Sequence, residues 1–485
     1  MTIKIALPKG RLLGKTASLL QTAGCGLHGY TEKSRLYRFK SQKFRELSAK
    51  IFHEKDIPIQ VAVGNYDLGI CGLDWIEELL VKYPSSSLVK IKNLGYGNGA
   101  LYMAYSVADA VLDRLAGRND IVSIAKGMQE IKNTVRIASE YPNLAESFAA
   151  KNRLRRFSII PLWGAAEAYP PEDADLALIS SGAGNTIFNN GLEPLSMILK
   201  YGAFLIANKN SWETKDMGEI LSPIGDVNIS DEKYVSSLKN ITETSKIIGE
   251  YKKNKIGEET IRLALPDGHQ QQHTLKLLNK AGIQIDDYPS ENGNCRPNIN
   301  LAGVLIKVIR PQDMPLQVAN GNFDLAITGK DWFFEHKYQF PSSPIKKLLD
   351  LGFGKVKIVA VVSKDLSVND IYDIKLSNAD RVVPLRIATE YVNIADKYAR
   401  DNHLGLYRVV PTWGATEAFL PEDADLLIEN TETGRTIARH NLKIIDTLFE
   451  STACLIGSTD KLNNSIKSKR INNIIETLRN AVRDS

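Results

Sequence analysis

The chain has 485 residues, about three times a common domain length, so two to four cores are expected rather than one. Hydrophobic residues at 43%, charged residues at 24% and a mean hydropathy of −0.19 are ordinary globular values that exclude a membrane-embedded or disordered chain. A net charge of +5, from 61 basic and 56 acidic side chains, is too mild for a general nucleic-acid binder, and it leaves room for local cationic sites that take a phosphorylated small molecule.

The N-terminus, MTIKIALPKGRLL, is broken by Pro8, Lys9 and Arg11 before it could serve as a secretory core, and no stretch approaches the ~20 apolar residues of a membrane span. The expected location is the cytoplasm, with no membrane partner. Cys25, Cys71, Cys295 and Cys454 lie far apart with no CxxC pair, so buried reduced thiols are expected rather than disulfides or structural zinc. In chain order, IKIALP (3–8) reads as a buried strand, and RLLGKTASLLQTAG (11–24) as a helix closed by Gly24. An apolar run LGICG (68–72), a helix from Asp74 and a strand pair entered near Gly97 follow. Strands alternating with helices predict an α/β fold of mostly parallel sheets, with two lobes in about 200 residues and a ligand cleft between them.

The same blocks then return. IALPKG (5–10) recurs as LALPDG (263–268), and DIPIQVAVGNYDLGICGLDW (56–75) as DMPLQVANGNFDLAITGKDW (313–332). RIASEYPNLA (136–145) recurs as RIATEYVNIA (386–395), and PLWGAAEAYPPEDADL (161–176) as PTWGATEAFLPEDADL (411–426). The offset drifts only from 258 to 250, as it does when loops change length in a tandem duplication. This divides the chain into a first copy (1–208), a helical linker (209–259), a second copy (260–459) and a C-terminal helix (460–485). The linker and terminal helix are amphipathic; they either cap their own copies or pack the copies together.

The turn ALPKGR (6–11) places Lys9, Gly10 and Arg11 where a strand ends and a helix begins, a suitable anion trap. In the second copy ALPDGH (264–269) puts Asp267 there, which repels an anion. Conversely, the loop IENTETGRT of the second copy offers Glu429 to sugar hydroxyls and Thr433, Gly434, Arg435 and Thr436 to a phosphomonoester. The first copy has Ile179 in place of Glu429 and keeps only Ser181, Gly184 and Thr186 of the donor set. Arg35, with Arg296 as its counterpart, could reach a pyrophosphate or be structural, and Arg310 stands where the first copy has His53. Glu140 and Glu390 are expected to pair with Arg136 and Arg386, and Trp163 and Trp413 to lie in the core. His28, His269, His273, His336, His403 and His440 show no partners in the sequence, and neither a catalytic triad nor a Walker-type loop is present.

ALPKGR, the DIP…DLGICG block, LGYG, RIASEYPN and TGRT, in this order, resemble the catalytic subunit of the ATP phosphoribosyltransferase family over nearly all of both copies. The resemblance implies two periplasmic-binding-protein-like (type II) two-lobed units fused as an internal pseudo-dimer. It implies transfer of phosphoribosyl from PRPP to N1 of ATP with release of pyrophosphate, the first step of histidine biosynthesis, with Mg²⁺ as cofactor. Lys9, Arg11, Arg35 and Arg310 would then stabilise the leaving group, with Arg310 crossing to complete a site built on the first copy, so that the two sites of one chain are unequal. A further oligomer or a regulatory subunit stays open, the regulatory domain of long family members not being evident. A nucleotide-binding module without turnover, or a phosphoribosyltransferase for another heterocycle, are the alternatives.

Overall fold

The computed structural model describes residues 2–109, 127, 134–181, 186–227, 259–291, 293–378, 381–458 and 466–483. The first copy folds as two lobes. Its first lobe holds β1 (Ile3–Pro8), β2 (Arg38–Lys40), β3 (Leu47–Phe52), β4 (Leu68–Gly72) and β5 (Leu88–Asn93). The second lobe holds β6 (Gly99–Ser106), β7 (Val135–Ser139), β8 (Phe157–Pro161), β9 (Leu176–Ser181) and β10 (Leu192–Tyr201), after which β11 (Ala203–Asn208) returns to the first. The strand orders are β2-β3-β1-β4-β11-β5 and β10-β6-β9-β7-β8.

The second copy repeats these orders strand for strand, apart from the short edge strand β2. Its first-lobe sheet runs Val304–Ile309, Ile261–Pro266, Leu325–Gly329, Ala453–Ser458, Ile345–Asp350. Its second-lobe sheet runs Tyr407–Pro411, Leu385–Thr389, Leu426–Thr431, Val356–Ser363, Leu442–Ser451.

The expectation of mostly parallel sheets is corrected to mixed ones. β1 is parallel to β3 and β4, but β11 runs antiparallel to β4 and β5 because the chain leaves each lobe and re-enters it from the other end. Near the crossings, Gly95 and Gly97 have φ of +79° and +66°, the left-handed region that a residue without Cβ enters freely.

The described linker helices (Lys209–Thr214 and Gly218–Asp226) bury Met217, Ile220 and Ile224 in the core of the first copy's first lobe. The helix Ile466–Arg483 buries Ile471, Ile474, Ile475 and Leu478 in the matching core of the second copy. These segments therefore cap their own copies.

What joins the copies is a crossed arrangement, in which each first lobe packs on the other copy's second lobe. Phe52, Ile57, Cys71 and Ile206 share one apolar cluster with Val359, Ala388, Phe419 and Ile437. Ala264, Ile309, Met314 and Phe323 share another with Ala138, Leu162, Tyr169 and Ile179. Burial of this continuous kind contributes at about 25 cal/mol per Å², so the two halves act as one packed body. Buried ion pairs fix the register. Lys50 lies 2.7 Å from both Glu422 and Asp423, and Lys307 lies 2.8 Å from Glu172. No helix among the described residues is long and apolar enough to cross a membrane.

Candidate functional site

Pro8 ends β1, and Gly10, with φ +84°, lets the chain turn at once into the short helix Gly10–Leu12. Lys9 is left exposed at the tip. The turn borders a cleft of about 470 Å³ whose walls include His53, Trp75, Glu140, Tyr141 and Ser180 of its own copy and Gly414 and Ala415 of the other.

The two cations of the turn diverge. Arg11 lies within 3.0 Å of Glu54 and 2.8 Å of Asp74, and its guanidinium sits 4.8 Å from the Tyr201 ring centroid. Two carboxylates therefore take up its charge, and it acts as a strut between lobes rather than a free anion trap. Lys9 instead lies 3.4 Å from the Tyr37 hydroxyl, and Tyr37 stacks on His440 of the second copy at 4.3 Å. The Lys9 charge is also felt at Glu390 and His440, both of the second copy.

Glu429 and Arg439, on either side of the loop that follows strand Leu426–Thr431, act electrostatically on Tyr37, the residue that Lys9 approaches. Gly434, with φ +71°, opens the helix Arg435–Arg439, and its N–H donates to the Thr431 hydroxyl at 2.9 Å. Thr433, Arg435 and Thr436 are exposed, hence available to a ligand, while Glu429 is buried behind them with its Oε1 accepting the Asn430 N–H at 2.9 Å. Burial and the neighbouring Glu390 and Glu417 hold the Glu429 carboxyl well above its usual range. Burial, with Glu417 adding to it, pushes Glu390 up to about 7. His53 approaches Gly414 on the same side; burial, then Lys55 and Lys9, lower its pKa to about 4, so its ring is neutral at pH 7. The Lys55 N–H donates to His53 Nδ1 at 3.3 Å, which leaves Nε2 to carry the proton.

The reciprocal arrangement differs at nearly every position. Arg310 does cross to the first copy, lying over Gly164 so closely that a β-carbon there would collide with it. It does not join Lys9, however: its guanidinium pairs with Asp267 at 2.9 Å and faces Glu140 and Glu167. Where Tyr37 stacks on His440, the second copy has Cys295, whose N–H donates to Asn190 at 3.1 Å. Gly184 lies outside the described residues, as do the side chains of Ser181 and Thr186.

Several expectations are corrected. Arg296 pairs with Glu172 as Arg38 does with Glu422, so Arg38 and not Arg35 is its counterpart, and both have structural roles. Arg35 is exposed in the loop before β2. Arg136 and Arg386 pair with Asp175 and Asp425, each at 3.2 Å, whereas Glu140 pairs with Lys55 at 3.6 Å. Successive strand residues point to opposite faces, which sends these arginines away from the cleft. Trp163 and Trp413 are half-buried and, with Trp75 and Trp332, line a cavity of about 840 Å³ between the copies instead of filling a core. Three of the histidines expected to lack partners have them: His336 meets the Ser343 hydroxyl at 2.7 Å, His273 stacks on Phe353, and His440 stacks on Tyr37, to which no sequence signal pointed because Tyr37 lies in the other copy. The four cysteines are buried and free, as expected.

The model of a family described as ATP phosphoribosyltransferase (HisG) matches residues 53–226 and again 310–480. An ATP phosphoribosyltransferase of Prosthecochloris aestuarii is 32% identical over 230 residues, 46% of this chain and 72% of that protein. One from Pelotomaculum thermopropionicum is 28% identical over 228 residues, 46% of this chain and 73% of that protein. Among solved structures, an ATP phosphoribosyl transferase (HisG:HisZ) complex from Thermotoga maritima is similar with a TM-score of 0.39 and 20% identity, covering 47% of this chain and 100% of that one.

Proposed function

The chain belongs to the ATP phosphoribosyltransferase family and catalyses that family's reaction, the first step of histidine biosynthesis, and we propose that it does so in a site shared between its two copies. In this reading the copies form an internal pseudo-dimer of two-lobed, periplasmic-binding-protein-like units, with the boundaries 1–208 and 260–459. The matching strand orders, which differ only in the edge strand β2, and the reciprocal ion pairs support it.

The reaction joins N1 of the adenine to C1′ of PRPP while the C1′–O bond breaks and its electron pair leaves with pyrophosphate. N1 is a nucleophile without deprotonation, so the protein's task is to align and to stabilise departing charge. Thr433, Gly434, Arg435 and Thr436 hold the 5′-phosphate through hydroxyls, a backbone amide and a guanidinium. Glu429 accepts hydrogen bonds from the ribose hydroxyls. Lys9, reaching from the other copy, stands on the side where the diphosphate carries its charge, and the neutral His53 offers an N–H beside it.

Among the described residues no three His, Cys, Asp or Glu side chains converge as a metal cage. Glu390 and Glu429 suit instead a Mg²⁺ that enters with the diphosphate and keeps much of its water shell. When bound, such an ion neutralises charge on the leaving group.

The observation that carries this reading is that Lys9 of the β1 turn lies against Tyr37, which stacks on His440 and feels Glu429, so that the cationic turn and the acidic, hydroxyl-rich loop, each present in only one copy, lie on the same side of the junction. Incubation of the full chain with ATP, PRPP and Mg²⁺ tests it. Phosphoribosyl-ATP and pyrophosphate are expected in equal amounts, and nucleotide binding without product would overturn the reading.

A further inference from the structure

We infer that each chain carries one PRPP site, made of the first copy's first lobe and the second copy's second lobe, and that the reciprocal cleft is silent. The inference rests on the reading above.

Five paired positions differ in the same sense, while His53 against Arg310 differs in the opposite one. The Lys9 charge acts on the second copy's Glu390, whereas its counterpart Asp267 meets Arg310 at 2.9 Å and takes up the charge of that crossing cation. The buried acid Glu429 has Ile179 as its counterpart, 4% exposed within the apolar cluster shared with Ile309 and Met314, so the first copy offers a sugar no acceptor there. Tyr37 on His440 is replaced by Cys295 on Asn190, which removes the ring that steadies Lys9. Lys55 lies 3.6 Å from Glu140 and takes up its charge; Gln312 stands at the matching place, so Glu390 keeps its carboxyl for Lys9 and the ligand.

Random drift after duplication would scatter losses over both clefts. Here each copy has lost the half that serves the reciprocal cleft and kept the half that serves the shared one. Among the described residues, this cleft has its crossing arginine paired and an isoleucine in place of its acceptor, which is a poor match for an anion of several charges that must give up its hydration.

The test is calorimetric titration of the full chain with PRPP and Mg²⁺, repeated with Lys9→Ala, Glu429→Gln and Asp267→Ala. Lys9 is exposed, so its removal does not threaten folding. One PRPP per chain is expected. Affinity should fall about tenfold to a hundredfold in Lys9→Ala and in Glu429→Gln, as for loss of a hydrogen bond to a charged group, and stoichiometry should stay at one in Asp267→Ala. Two equivalents of PRPP bound by a chain that still makes product would overturn the inference and leave the proposed function standing. So would one equivalent whose affinity survives Lys9→Ala. Failure to form product at all would instead strike the proposed function.

Discussion

Replacing Lys50 by methionine should separate the effect of the copy interface from that of the site it supports. Lys50 Nζ lies 2.7 Å from Asp423, the side chains being 6% and 4% exposed, and the Tyr66 hydroxyl donates to the same carboxylate at 2.9 Å. Methionine keeps the apolar stem and removes the charge, leaving Asp423 buried with one neutral donor. Breaking a buried pair by deleting one partner costs about 3–5 kcal/mol, since the remaining charge is still desolvated. The neighbouring Arg38–Glu422 pair, 3.3 Å long with side chains 33% and 45% exposed, sets the contrast: Arg38→Met should cost under about 1 kcal/mol. Urea unfolding followed by tryptophan fluorescence measures both. Because a chain with several lobes need not unfold in one step, the comparison is of midpoints among Lys50→Met, Asp423→Asn and the double variant. The double variant should recover much of the loss. If Lys50→Met shifts the midpoint no further than Arg38→Met, the buried pair is not what fixes the crossed packing.

Other outcomes follow from the same geometry. Glu429→Gln should raise the KM for PRPP about tenfold or more and leave the KM for ATP nearly unchanged, read from initial rates, as it removes one carboxyl from the ribose site. Tyr37→Phe should keep the stack on His440 and most of the stability while raising the KM for PRPP, whereas Tyr37→Leu should also lose about 0.5–1.5 kcal/mol, seen in the same urea series. Glu390, pushed up to about 7 from 4.5, holds its proton in the folded chain over a range where the unfolded chain has lost it. Stability should therefore fall as pH rises from 4.5 through 7. Glu390→Gln should match the parent near pH 4 and exceed it at pH 8 by about 1–2 kcal/mol, allowing for partial exposure; equal stability at both pH values would refute the shift.

The duplication, the two lobes of each copy and both candidate anion-binding segments were legible in the sequence; the segments are local, each a strand, a turn and a helix start within about ten residues. The divergence of Lys9 from Asp267 and of Glu429 from Ile179 was legible as well. What the sequence did not carry was which lobe faces which. The crossed packing rests on ion pairs such as Lys50–Asp423 and on clusters such as Phe52 with Phe419, between residues hundreds of positions apart with no periodic signature. For the same reason Arg310 was expected beside Lys9, although it pairs with Asp267 over Gly164. The matching of Arg296 with Arg35 failed because the loop before β2 has no fixed length, and only the shared partners Glu172 and Glu422 reveal that Arg38 is the true counterpart. Mixed sheets escaped the sequence since an antiparallel return strand has the same buried pattern as a parallel one; Ala203–Asn208 reads as apolar as Leu68–Gly72.

The most direct measurement is a crystal structure of the chain soaked with PRPP and Mg²⁺. Density for one PRPP is expected, with its 5′-phosphate on Thr433–Thr436, its ribose at Glu429 and its diphosphate turned toward Lys9 of the other copy. Sugar phosphate bound beside Arg310 and Glu167, whether alone or in addition, would contradict it.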